Sequence, residues 1–131
     1  MPRFVHQELS AAFVAEGAIT FGCGCLFGTA DNQVKLPGGG DAGAKNIAGI
    51  ALYDAEDGKA IEVVREGDVM VLVNGNSVNI ARGDKLKIAA TTGRFVKADT
   101  DKDYYFLEAN QAATTDGALI SARITRGYVA V

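Results

Sequence analysis

The sequence predicts an all-β domain, a small barrel or sandwich entered through an extended N-terminal arm, and three observations lead there. Apolar residues alternate with period two in several short runs, long helical periodicity is missing, and turn dipeptides recur between the runs. A length of 131 residues suits one domain with one core. The natural division is an arm over residues 1–17 and a β-rich domain over 18–131.

The arm is defined by what it lacks. From Phe4 through Ala30 the only formally charged side chains are Glu8 and Glu16, while Phe4, Val5, Leu9, Phe13 and Val14 add apolar surface to a segment that reads poorly as a core element. Two readings stand: a strand or strap that grips another chain, and an ordinary arm folded back on its own domain. On the first reading Phe4, Val5, His6, Leu9, Phe13 and Val14 are the candidate contact residues.

The first strand is "AITFGCGCLFG", with Ile19, Phe21, Cys23, Cys25 and Phe27 on one face and Thr20, Gly22, Gly24, Leu26 and Gly28 on the other. One face packs a core. The other is mostly bare glycine, which in a strand marks a bulge, a bend or the close approach of another backbone. Cys23 and Cys25 point the same way, which disfavours a disulfide between them. A zinc site needs about four ligands, which the single histidine, His6, can hardly complete. Both cysteines read as small buried strand residues.

The next segment, "KLPGGGDAGAKN", has the glycine spacing of a phosphate-binding loop but not its chemistry. Ala44 follows Gly43 where the lysine belongs, Lys45 comes one place late, and Asn46 offers no hydroxyl for a metal. A flexible loop is the sufficient reading.

Further strands are expected at Ile47–Tyr53, Ala60–Arg65, Asp68–Val73, Lys85–Ala90, Tyr104–Glu108 and Leu119–Thr125. They are separated by the turn pairs Asp57-Gly58, Asn74-Gly75, Thr92-Gly93 and Asp116-Gly117. In "VMVLVNG", Val69, Val71 and Val73 oppose Met70 and Leu72, so both sides are apolar. Such a strand is covered twice, by its own core and by a second sheet or a partner. "REGDVMVLV" and "ARGDKLKIA" echo each other weakly and read as two successive strand starts, with Gly67 and Gly83 turning the chain. The second contains Arg82-Gly83-Asp84, a tripeptide that adhesion receptors read, but turn chemistry explains it.

Chemistry is hard to assemble. His6 is the sole histidine, and Asp54, Glu56 and Asp57 cluster at a hairpin tip rather than on opposed walls. "DTDKDYYFLE" opens like a calcium loop, yet the sixth and twelfth places hold Tyr104 and Asn110 instead of glycine and glutamate. No catalytic, cofactor or metal residue is assigned. A net charge of −3 without a basic stripe argues against nucleic acid, and no apolar run is long enough to span a bilayer, so neither nucleic acid nor membrane is an expected partner. The start of the chain lacks a signal-peptide core, which suggests synthesis in the cytoplasm.

The stretches "AEGAITFGCGCLFG", "NIAGIALYDAEDGKAIEVVREGDVMVLVNG", "VNIARGDKLKIAATTGRFVKA" and "GALISARI" occur in an order that resembles the cement, or head decoration, proteins of tailed bacteriophages, over roughly residues 15–125. The resemblance implies a β-barrel or β-clip-like domain on the outside of an expanded phage head, bridging major capsid subunits, without catalysis or cofactor. It implies a virion protein made in the host cytoplasm that self-associates on the capsid, as a trimer in preference to a dimer. Two rival functions are weighed beside it. One is a ligand- or carbohydrate-binding module using Tyr53, Tyr104, Tyr105 and Tyr128, although the chain lacks tryptophan. The other is an enzyme with a metal site at Asp99–Asp103.

Overall fold

A computed structural model of the chain describes residues 10–100 and 102–130, and every regular element among them is a strand. Five strands, β1 (Ser10–Ala15), β2 (Gly24–Phe27), β3 (Gln33–Lys35), β4 (Ile47–Ala51) and β5 (Ala60–Val64), close a barrel in the order β1-β3-β2-β4-β5. Five more, β6 (Asp68–Asn74), β7 (Lys85–Ile88), β8 (Phe95–Lys97), β9 (Tyr104–Ala109) and β10 (Asp116–Tyr128), close another in the order β10-β6-β8-β7-β9. The all-β barrel is therefore present twice.

The two barrels share one pairing diagram. In each, the first strand runs parallel to the third and antiparallel to the fifth, the second lies antiparallel to the third and fourth, and the fourth to the fifth. An isolated bridge repeats as well, Ile19 with Ala55 and Ile80 with Ala113. The repeat thus equates Gly22 with Gly83, whose N–H groups donate to Ala51 and Ala109 respectively. The weaker echo at Gly67-Asp68 and Gly83-Asp84 is two strand starts within the second barrel.

The barrels are fused through a shared wall. Leu26, Ile47, Ile50 and Val64 of the first pack into one core with Val71, Leu86, Phe95, Phe106 and their neighbours in the second. Cys25, Ala48 and Ala51 on the opposite faces of β2 and β4 pack the first barrel's own core with Val34, Ile61 and Val63. Every residue of β4 is consequently buried, the near-continuous apolar pattern of a strand covered on both faces.

Glycine makes the fusion possible. Leu72 donates its N–H to the Gly22 carbonyl (2.9 Å), and Gly24 donates to the Gly93 carbonyl (2.8 Å), so the chain at 22–24 runs against the second barrel's backbone. A Cβ on Gly24 would lie 2.7 Å from Ile88 and 2.8 Å from Phe95. The bare face expected of this strand thus marks the approach of another backbone.

Several expectations are corrected. The face expected to pack a core is not sealed along its length: Phe27 shares the side of Cys25, opposite Val34, but ends β2 and is 43% exposed, while Leu26 on the glycine side is buried against the second barrel. Asp116-Gly117 is no hairpin turn: Gly117, at φ 86°, sits at a bulge inside β10. The arm over residues 1–17 is revised from Ser10 onward, since Ser10–Val14 pair with β5 and Val14–Ala15 with β3. Its small residues, Ala11, Ala12 and Ala15, had concealed the strand. Strands β3 and β8 were not anticipated at all, being three residues each.

The shared core predicts a single cooperative melting transition. Gly24→Ala should lower stability by ~1–3 kcal/mol through overpacking, read as a fall in Tm. Gly40→Ala, where a Cβ meets nothing within 4 Å, should stay within ~0.5 kcal/mol of wild type. Equal Tm values for the two variants would contradict the packing account.

Candidate functional site

Among the described residues, the features to weigh are exposed apolar side chains and the polar groups around them. Several candidate sites of the sequence are structural. Asp54 Oδ1 accepts the Phe21 N–H and Asp57 Oδ1 accepts the Gly17 N–H, both at 2.8 Å, so the acidic hairpin tip ties down the chain after β1. Asp41 closes the glycine-rich loop by accepting the Gly38 N–H at 2.6 Å, and Gly43 donates to the Ile88 carbonyl. Those amides are already used, and the loop joins the barrels.

In the Arg82-Gly83-Asp84 corner, Gly83 has φ 92°, and the Asp84 carboxylate accepts the Ala81 N–H at 2.8 Å and faces Lys97 at 3.6 Å. Turn chemistry engages it. Asp103 likewise accepts the Thr100 N–H and pairs with Lys87 at 3.0 Å. Asp101 lies outside the described residues. Among the described residues no three His, Cys, Asp or Glu side chains cluster as metal ligands.

The tyrosines do not converge. Tyr104 and Tyr128 pack edge to face at 5.4 Å with Lys45 over the Tyr128 ring, and Tyr105 lies under Lys85 beside Gly127. Tyr53 follows β4 in the other barrel. They form no common stacking platform.

Of the predicted contact residues, Phe4, Val5, His6 and Leu9 lie outside the described residues. Phe13 is half-buried against the first core and meets Phe27 edge to face, ring centroids 6.1 Å apart, with the Arg65 guanidinium 6.0 Å from the Phe27 ring. Val14 is exposed on β1, its N–H donated to the Asn32 carbonyl. Alternation alone puts Phe27 on the core side with Cys25, and its exposure comes from its place at the end of β2, which the pattern does not mark.

A second apolar surface lies at the waist between the barrels. Phe21, Leu52, Val64 and Met70, with Asp68 and Ser121 at the rim, line a groove of about 320 Å³. Met70 and Leu119, on the outer face of the β6–β10 ladder, are 40% and 43% exposed. The doubly apolar character of β6 signalled this face.

With this geometry in view, the comparisons with known proteins fall into place. The family model described as phage cement protein matches residues 5–124. The chain belongs to the phage cement protein family. The match begins ten residues before the stretches that carried the resemblance, so it takes in part of the arm as well as β1. Among solved structures, the head fiber gp8.5 N base of bacteriophage phi29 is similar at 17% identity and a TM-score of 0.64, over 94% of this chain and 98% of that one. At that identity the likeness speaks for the fold. A search of curated proteins gives no match. This cement protein is accordingly a capsid-associated structural component of the virion.

Its titratable groups serve structure. Burial pushes the Cys25 thiol up to about 12 and raises that of Cys23 as well. Both thiols should resist alkylation at pH 8 in the folded protein and react together on unfolding. Rapid labelling of either under native conditions would contradict their placement. Hydrogen bonding from the Thr29 N–H holds the Glu16 carboxyl below its ordinary range, and the Lys85 ammonium, 2.7 Å away, does so for Glu108. A depressed carboxyl contributes stability that is present above the unfolded value of about 4.3 and is lost as pH falls through the folded one. Tm should therefore be level above pH ~5 and fall below it, and Glu108→Gln should flatten the fall; an unchanged acid slope would remove Glu108 from the account.

Proposed function

We propose that this protein is a reinforcing clamp on the outer surface of the expanded phage head, bridging neighbouring major capsid subunits and made in the host cytoplasm. Family membership over residues 5–124 carries the reading. The fold suits it: two barrels on one shared core form a stiff body. A clamp that binds only the expanded lattice stabilises that lattice by mass action, and many weak contacts across a shell add by avidity.

On this reading Phe27, exposed at the end of β2, and the Phe13 ring it meets form part of the capsid-facing surface, where a charge-poor apolar centre is what an interface core requires, and Val14, on the other face of β1, is a separate contact residue. Residues 1–9, including Phe4, Val5, His6 and Leu9, act in self-association between copies. The capsid then holds an array of linked clamps.

Mixing the purified protein with expanded, undecorated heads and sedimenting them should give co-pelleting, with much less on unexpanded proheads. Phe27→Asp should weaken attachment to expanded heads about tenfold or more, ~1.4 kcal/mol, with little change in Tm. Absence of binding to expanded heads would sink the proposal.

A further inference from the structure

The groove at the waist adjoins an incomplete strand edge. The barrels close through short parallel contacts: Val14↔Gln33 and Ala15↔Val34 in the first, Val73↔Phe95 alone in the second. Further along the same edge of β6, Gly22 takes the Leu72 N–H. Beyond it, over Asp68–Val71, β6 has among the described residues a neighbouring strand on one side only, β10. Edge direction alternates along a strand, so Met70 directs its backbone groups to the same side as Leu72, which is the side of the groove.

The internal repeat supplies a control on the side chains. Position for position in the ladders, Ala12, Val14 and Ala60 of the first barrel correspond to Met70, Leu72 and Leu119 of the second. The same pairing is built with alanine and valine in one copy and with larger side chains in the other, of which Met70 and Leu119 are exposed and Leu72 is half-buried. The fold does not demand them. Leu72 and Leu119 partly cover Gly22, but Met70 and Leu52 remain 40% and 37% exposed beside the open edge.

We infer that this groove receives the N-terminal segment of a second copy, residues 1–9, laid along the open edge of β6 as an added strand. The inference rests on the reading of that segment as a self-association element. Three observations select the occupant. First, the segment carries Phe4, Val5 and Leu9 for an apolar groove, and Arg3 to face Asp68 at its rim. Second, nine extended residues reach at most ~30 Å, enough to run the length of β6.

Third, the topology points the segment outward. Ser10 lies opposite Val64 on one side of β5, and β1 is antiparallel to β5, so the start of β1 points past the end of β5. The groove's Leu52 follows β4, on the other side of β5. To fill its own groove the segment must double back across the connection at 65–67, whereas a straight course leads to a neighbour. Arm-in-groove contact is heterologous, and it closes a ring when the rotation between copies permits.

Light scattering or equilibrium sedimentation of the full chain, without heads, tests this. The expected mass is a multiple of 13.7 kDa, falling to the monomer on deletion of residues 1–9 and on Met70→Asp, each with its melting transition retained. As a second readout, Val5→Cys combined with Met70→Cys should give links between chains under mild oxidation, with the buried native thiols staying out. A monomeric full chain, an oligomer that survives both changes, or a link formed only within one chain would overturn the inference. Head binding separates this from the capsid reading: a monomer that still coats expanded heads refutes only the arm in the groove, and an oligomer that ignores heads refutes only the clamp.

Discussion

Two backbone hydrogen bonds at glycine, Gly24 to the Gly93 carbonyl and Leu72 to that of Gly22, set the architecture of this protein. They need main chains to approach more closely than any side chain allows, with Ile88 and Phe95 filling the space where a Cβ on Gly24 would stand. In the first barrel the corresponding first-strand donor, Val14, bonds to Asn32 of its own barrel. In the second, that role passes to a segment of the other barrel. The seam therefore substitutes one barrel's chain for a missing part of the other.

From that substitution the core follows. Once Gly22–Gly24 lies against the second barrel, β2 and β4 have a core on each face and must be apolar on both, as Leu26, Ile47 and Ile50 on one side and Cys25, Ala48 and Ala51 on the other show. Two five-stranded barrels of this length would each bury little surface alone. Sharing a wall gives one body that can transmit load between its ends, a property that suits a capsid-associated structural protein. The same seam stops at Leu72, so among the described residues the remaining edge of β6 and its apolar groove are left open.

Much of this was legible in the residues. The period-two runs located β4 to β7, β9 and much of β10, and bare glycine opposite Cys23 and Cys25 announced a close backbone. The double cover expected of β6 is instead found at β4: the outer face of β6 leaves Met70 40% exposed. The order of the glycine-bounded segments carried the resemblance to cement proteins. Other features left no readable trace. The duplication is a property of pairing rather than of residue identity: Cys23 in one barrel corresponds to Asp84 in the other. The exposure of Phe27 comes from its place at a strand end, β3 and β8 are too short to show a period, and β1 is rich in alanine. The groove needs both barrels in place, so local pattern could signal only one of its walls, Met70.

The central claim is that the seam makes the two barrels one cooperative unit, and native-state hydrogen exchange measures it most directly. The amides of Leu72 and Gly24 at the seam should exchange with the same opening free energy as Ala51 in the first barrel and Ala109 in the second, all at the global value. Exchange of the seam amides through a lower-energy opening, with one barrel's amide still protected after the other's is lost, would show two independent domains joined by a loose contact and would contradict the account.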